Sequence, residues 1–563
     1  MLKLVFEILT PQARRGFLGL IALMTLSACL EVVAIAGVMR FMGMLTDPQA
    51  DRVRWGILAL ALLAGSNLCT ALTNYTACRF SHRQAFELSA RLLGAYLRMP
   101  YSWFLQQNSA VLHQNVLSGN IARGVLDPLT HGLARLVVAL LLLAGLLWVN
   151  VRVALTAAAV VGVAYALLSW TIRRWMGHLA GTTQRALDRA HQAAQEAVAG
   201  MKIVRVLGRE EELVRRFEVE GRVVSRNRAR HMLASDFPRF FLETVAIGSI
   251  LALALYLVQT GHGEASLLSM LSLYALAGYR LIPAVHVVYG SWHSVRFHLP
   301  LLVRFHEMFT RNPVPAKGPD LGFERELELH DVRFTYENAG RAALRSVSLT
   351  VPRNTSLGLV GPTGCGKTTL VDILIGLLEP QEGEVRLDDR ALSPETWPGW
   401  QRRIGYVPQD LFLADRSVLQ NIALGVPDGE VDRGAAERAA RLANLHDFIQ
   451  SLPQGYDTEI GERGVRLSGG QRQRLAIARA LYHDPEVLVM DEATSALDGP
   501  TERAIQEAIG ALAGRKTLIV VAHRLSTVRD CTQIAVLEEG RVVARGTYQQ
   551  LLEESQLFRK LVG

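Results

Sequence analysis

Apolar residues run almost unbroken through residues 17–39, 57–78, 133–149, 153–170, 240–259 and 266–288. A helix needs about 20 predominantly apolar residues to cross a bilayer core, so the pattern predicts six spans. The first is no secretory leader: it is too long, and Glu31 interrupts its apolar core. Residues 79–97 and 171–236 are polar but rich in Ala, Leu, Gln, Glu and Arg, all strong helix formers. Spans two to five are therefore expected to run on as long helices beyond the membrane. Each long loop should turn back near its far tip, at residues 103–107 and 205–217. Residues 311–320 read RNPVPAKGPD, with prolines and a glycine that end any helix. From Phe323 onward, short apolar runs at 355–360, 486–490 and 516–522 alternate with turns and helical stretches, the pattern of buried strands in an α/β domain. The expected organisation is a six-span α-helical transmembrane domain over residues 1–310, a linker over 311–322 and a soluble α/β domain over 323–563.

Composition supports this division. Half of the 563 residues are hydrophobic and a fifth are charged, and the mean hydropathy is +0.19. A disordered chain is excluded, and an entirely soluble one is disfavoured. The net charge of +8 would suit nucleic acid, but its placement suits a membrane. Lys3, Arg14 and Arg15 precede the first span. Arg79, Arg83, Arg91, Arg98 and Arg123 lie between spans two and three, and residues 173–230 are strongly basic. The turns at 149–152 and 259–265 carry one basic residue and none; the loop with Arg40, Arg52 and Arg54 is the exception. The positive-inside rule then puts both termini, the long loops and the α/β domain in the cytosol, on a multi-pass protein of the cytoplasmic membrane. No nucleic acid is needed to account for the charge. The five cysteines are scattered without a CxxC pair, which is neither a disulfide framework nor a zinc site.

Three motifs carry the chemistry. Residues 361–369 read GPTGCGKTT: Gly361, Pro362, Thr363, Gly364, Cys365, Gly366, Lys367, Thr368 and Thr369. They follow a predicted strand and open a predicted helix, the context that a phosphate-binding GxxxxGK[ST] loop requires. Glycines let backbone N–H groups approach the phosphates at a helix N-terminus. Lys367 is expected on the β- and γ-phosphates of ATP, and the Thr368 hydroxyl on Mg²⁺. The second motif, VLVMDEATSALD, ends an apolar strand with Asp491, placed to hold Mg²⁺ through water, and follows it with Glu492, placed to polarise the attacking water. The third, LSGGQRQR, sets Ser468, Gly469, Gly470 and Gln471 before a helical run, a second anion site at a helix start. Two phosphate-binding loops on one domain suggest two chains sharing each nucleotide.

On these residues the soluble half resembles the nucleotide-binding domain of ATP-binding-cassette (ABC) transporters. The resemblance implies further roles. Tyr336 in RFTY matches the aromatic that stacks on adenine. Gln409 in YVPQD matches the glutamine that senses Mg²⁺ and faces the membrane domain. Residues 468–471 match the signature loop, residues 495–498 with Asp498 match the D-loop, and His523 in VVAHRLS matches the switch histidine at the γ-phosphate. Six spans ahead of one such domain resemble an exporter half-transporter of the type IV fold. That plan implies a partner, either a second copy or a paralogous half-transporter, and makes the two loop tips coupling helices.

The cargo is read from the spans. Ionisable residues inside hydrocarbon are costly and mark functional candidates; Glu31, Glu243 and Arg280 qualify, with Arg239 at the cytosolic start of span five, the alternative being a structural Arg–Glu ion pair between helices, above all for Glu31. The segments LKLVFEIL, LEVVAIAGVMRF, PRFFLE and YRLIP resemble the PglK-type flippases for lipid-linked oligosaccharides, in which cavity arginines are thought to meet a lipid pyrophosphate. Arg239 and Arg280 sit at matching places. The outer segment 46–55 is shorter than in those flippases, and Ser66 stands at a further arginine position. The expected activity is ATP hydrolysis driving a lipid-linked saccharide or related glycolipid outward. A multidrug or general lipid exporter is the alternative, and Arg239 and Arg280 as structural or snorkelling residues stay open.

Overall fold

The computed structural model describes residues 2–44, 51–117, 122–149, 151–259, 264–310, 318–337, 339–491, 507, 510, 512–522 and 525–562. The chain forms two compact units. One comprises Met1–Leu97 and Gln107–Asn312; the other comprises Arg98–Gln106 and Pro313–Gly563.

The first unit is helical. Helices α1 (Leu2–Ile8) and α2 (Pro11–Met44) precede α3 (Arg52–Tyr96), which is 45 residues long, roughly 67 Å at 1.5 Å per residue. After α4 (Tyr101–Leu105), which belongs to the second unit, come α5 (Ser109–Leu117), a π-helical turn (Ala122–Leu126) and α6 (Asp127–Val149). Then follow α7 (Val151–Ala199), α8 (Met201–Leu207), α9 (Glu210–Gln259), α10 (Glu264–Phe297) and α11 (Leu299–Thr310). Each of the six apolar runs lies within one helix. Three stretches of the described residues, Pro11–Val38, Arg52–Tyr96 and Gly124–Gly145, are long and apolar enough to cross a membrane. Leu60, Leu68 and Leu72 of α3 point outward and exposed, as lipid-facing leucines do.

Two expectations about the long loops need correction. Spans two, four and five do continue as helices of 45, 49 and 50 residues, but span three does not. Helix α6 starts at Asp127, with Pro128 in its first turn. Proline brings no N–H to continue a ladder upstream, and the π-helical turn takes over there. The second tip also falls earlier than residues 205–217. Gly200 precedes α8, Gly208 closes it in the left-handed conformation (φ 60°), and α9 is already helical from Glu210. Glu210, Glu211 and Glu212 in its first turn favour a helix start through the macrodipole.

The structure gives Glu31 the interhelical arginine partner that its ion-pair reading requires. Its carboxylate meets the Arg135 guanidinium of α6 at 3.5 Å, with the two side chains 5% and 32% exposed. Helix α2 also contributes to two apolar clusters, one with Leu20, Met24 and Ala77, the other with Ala28, Val138 and Leu142. Breaking a buried ion pair costs about 3–5 kcal/mol, which the partial exposure of Arg135 reduces to roughly 1–3 kcal/mol. Glu31→Gln is therefore expected to lower the thermal unfolding midpoint in detergent, and adding Arg135→Gln should recover part of the loss. A double mutant whose loss equals the sum of the singles would show that the two groups do not interact.

The second unit holds two sheets. An antiparallel sheet contains β1 (Glu326–Phe334), β2 (Leu344–Pro352), β4 (Glu382–Leu387) and β5 (Arg390–Ala391), in the order β2-β1-β4-β5. The larger sheet has the order β10-β9-β3-β8-β7-β6, from β3 (Ser356–Val360), β6 (Ile404–Val407), β7 (Val487–Asp491), β8 (Thr517–Val521), β9 (Gln533–Glu538) and β10 (Arg541–Gly546). It is parallel except at β10. Strands β3, β7 and β8 are buried along their whole length, which is why they read as continuous apolar runs. Alternate residues feed two cores. Leu488, Met490, Leu518 and Val520 face one, with helices after β6; Val487, Val489, Ile519 and Val521 face the other, with the helix after β3 and the buried Trp400.

Candidate functional site

The site is built at one edge of the parallel sheet. In the register, Asp491 of β7 pairs with Val521 of β8, and Val521 pairs with Leu359 of β3. The acidic strand end and the loop that follows β3 therefore leave the sheet on the same side, where open α/β sheets bind ligands. Strand β6 pairs in parallel with β7 through Val407 and Met490, so Gln409, two residues further, emerges at that edge too.

The loop from Gly361 to Gly366 leads into α12 (Lys367–Leu374). Gly366 has φ 107°, and a Cβ there would stand 2.6 Å from the Ala343 carbonyl, so only glycine fits this turn. Lys367 Nζ donates to the carbonyls of Gly361 (2.8 Å) and Pro362 (3.1 Å), folding the side chain back across the loop. Thr368 is exposed at the first turn of α12, while Lys367 and Thr369 are buried. Cys365 is buried behind the loop, and burial raises its thiol pKa despite the nearby Lys367; it fills space.

Asp491 is 1% exposed at the end of β7. Asp372, which sequence reasoning missed, lies on α12 close enough for the two charges to interact. Burial and the Asp491 carboxylate raise its pKa to about 6. The available signal was an acid on the otherwise apolar run KTTLVDIL. Tyr406 of β6 is raised by burial, and then by the same two carboxylates. The exposed Thr368 hydroxyl at the start of α12 and the buried carboxylates of Asp372 and Asp491 are oxygen donors, the kind Mg²⁺ takes.

Tyr336 follows β1, and its hydroxyl shares a hydrogen bond with Thr369 Oγ1 at 3.1 Å. Its backbone is fixed by a neighbouring clamp: Gln381 donates to the Thr335 carbonyl and accepts from the Thr335 N–H, each at 2.8 Å.

The signature loop is placed separately. Ser468 caps α13 (Gly469–Leu481) in a reciprocal box: its Oγ accepts from the Gln471 N–H, and Gln471 Oε1 accepts from the Ser468 N–H. The hydroxyl is exposed, and its bonds are to its own loop. The hydrogen bond to Thr369 holds Tyr336 to α12, and the strand register puts the phosphate loop, Asp491 and Gln409 at the same end of the parallel sheet, while Ser468 is exposed at the start of its own helix. Glu492, Asp498 and His523 lie outside the described residues, as do the side chains of Arg239 and Arg280.

Comparison with known proteins now decides the family. The family described as "ABC transporter transmembrane region" matches residues 17–278, and "ABC transporter" matches residues 344–495. An ATP-dependent lipid A-core flippase of Ralstonia nicotianae is 33% identical over 521 residues, spanning 89% of this chain and 86% of that protein. The chain belongs to the ABC transporter family. The transporter also aligns with a lipid A-core flippase of Cupriavidus metallidurans at 31% identity, over 100% of its own length and 95% of the relative. In three dimensions it matches a bacterial Atm1-family ABC exporter with ATP bound, at a TM-score of 0.84 and 26% identity, covering 97% of both chains. It is therefore a membrane protein with the Atm1-family exporter fold, whose cytosolic ATP-binding domain couples ATP hydrolysis to transport. None of these matches singles out the PglK-type flippases.

Proposed function

We propose that this transporter is a flippase of the cytoplasmic membrane that moves a lipid with a phosphate or pyrophosphate headgroup, a polyprenyl-linked saccharide or related glycolipid, to the outer leaflet. The observation that carries a lipid cargo is full-length similarity to proteins named lipid A-core flippases. Arg239 begins span five from the cytosolic side, and Arg280 lies in span six about 14 residues from its outer end. At 1.5 Å per residue that is roughly 21 Å into a core of about 30 Å, at inner-leaflet depth. A guanidinium fork suits phosphate oxygens.

In the same reading the domain binds ATP with Mg²⁺. Gly361–Gly366 and Lys367 hold the phosphates, Tyr336 takes the adenine, and Thr368, Gln409 and Asp491 hold the ion, which neutralises phosphate charge when bound. Glu492 orients water and takes its proton, and His523 contacts the γ-phosphate. Ser468–Gln471 and Asp498 complete the site of a partner protomer, in a homodimer or with a paralogous half-transporter. Exposed apolar side chains on α8 and the start of α9 support a partner: Ile203, Val206, Leu207, Val214 and Phe217 are 48–81% exposed, a patch that soluble surfaces seldom leave bare.

The test uses the Arg239→Ala/Arg280→Ala double mutant. Flipping of a fluorescent polyprenyl-pyrophosphate sugar in proteoliposomes should be lost, while basal ATPase in detergent stays within about twofold of wild type, because the ATP-binding domain is untouched. Normal flipping by the double mutant would remove both arginines from the cargo path.

A further inference from the structure

Residues 408–416, between β6 and the short helix Val418–Ile422, form neither helix nor strand. Gln409 stands near the start of this segment. Backbone groups in such a stretch need partners elsewhere, and two side chains supply several. Asn421 is fully buried. Its Oδ1 accepts the Ala414 N–H (3.0 Å), and its Nδ2 donates to the carbonyls of Ala414 (2.9 Å) and Ser417 (3.0 Å). Arg479 reaches the same segment from α13, the helix that Ser468 caps. Its Nη1 donates to the Phe412 carbonyl (2.6 Å), three residues past Gln409. Its Nε donates to the Asn421 carbonyl (2.8 Å) and its Nη2 to Asn421 Oδ1 (3.1 Å). These three bonds go to amide oxygens and none to a carboxylate. A guanidinium is costly to bury unless its donors are used, so an arginine here marks a joint that apolar packing does not make.

We propose that Arg479 and Asn421 are positioning residues for Gln409: together they fasten the segment that follows Gln409 to α13, so that the Gln409 amide is held in one place at the nucleotide site. The inference rests on the reading of Gln409 as a metal residue. Arg479 lies 11 residues beyond Ser468 on one continuous helix, about 16 Å at 1.5 Å per residue, so a single rigid element carries Ser468 and anchors the Gln409 segment. The effect falls on turnover and not on nucleotide affinity. Lys367 keeps its hydrogen bonds within the phosphate loop, and neither Arg479 nor Asn421 shares them.

The experiment uses Arg479→Lys in the full-length transporter. Lysine keeps the charge and the apolar stem, but its single ammonium head lacks the planar fork that spans Phe412 and Asn421. Amide hydrogen exchange over residues 410–417, followed without nucleotide, should quicken about threefold or more, with strands β3 and β7 unchanged. The kcat of ATPase, counted per site that binds a fluorescent ATP analogue, should fall about fivefold or more, while KM for ATP stays within twofold; counting sites removes any loss of folded protein. Asn421→Asp, which cannot donate to the Ala414 and Ser417 carbonyls, should act in the same direction. Gln409→Ala should keep a measurable rate, since Thr368 and Asp491 remain, and in that background Arg479→Lys should lower kcat no further. Unchanged exchange over residues 410–417, a kcat within twofold of wild type, or an equal loss in the Gln409→Ala background would overturn the proposal. Gln409→Ala alone separates the two layers: if it leaves kcat unchanged, the metal reading of Gln409 fails and takes the proposal with it.

Discussion

Glu492→Gln is expected to bind ATP and to hydrolyse it at least about a hundredfold more slowly than wild type. The buried strand β7 ends at Asp491 on the sheet edge that also bears the phosphate loop, and Glu492 is the next residue. A positioned general base contributes about 10²–10⁴ in rate. The amide keeps the size of the carboxylate but cannot take a proton from water. A hundredfold loss corresponds to about 2.7 kcal/mol of barrier. Phosphate release and nucleotide binding should be measured on the same preparation. Turnover above about a tenth of wild type would contradict the assignment of Glu492.

The second large effect concerns sharing of the site. Lys367→Ala and Ser468→Ala should each abolish most ATPase activity, since Lys367 spans the phosphate loop and Ser468 presents its hydroxyl at the start of α13. If Ser468 acts on ATP held by the partner, a mixed dimer of the two mutants gathers both lesions in one composite site and leaves the other intact. Verified mixed dimers should then recover part of the activity that either mutant lacks. A disulfide between Ser468→Cys and a cysteine in the partner's phosphate loop separates the remaining outcomes. No recovery together with no crosslink would contradict action across the interface.

The family and the ATP-binding fold were legible because their signals are local. The buried strands read as apolar runs, and GPTGCGKTT needs only its neighbours to be recognised. Glycine at 366 follows from a backbone conformation, and the Ser468–Gln471 box from a spacing of three. What escaped the sequence was set by packing between distant segments. Arg135 at the start of span three carries no local signal of its own; the packing of α6 on α2 puts it beside Glu31. Asp372 became notable only when burial brought it near Asp491. The second cytosolic turn is hard to place because charged helix formers continue on both sides of it, and only Gly200 and Gly208 mark its ends. The interruption before α6 could have been read from Pro128, but a π-helical turn has no sequence period of its own. Cargo is the least legible layer, since it depends on which side chains of several helices share one cavity.

In the proposed function, ATP hydrolysis drives a phosphate-headed lipid outward. It is tested most directly by reconstituting the wild-type transporter in proteoliposomes with a fluorescent polyprenyl-pyrophosphate sugar and following its flipping with and without ATP, with Glu492→Gln as the control. Wild type is expected to flip the lipid only with ATP, and the mutant is expected to show no flipping above background. ATPase stimulated by hydrophobic drugs, with no flipping of the lipid, would contradict it.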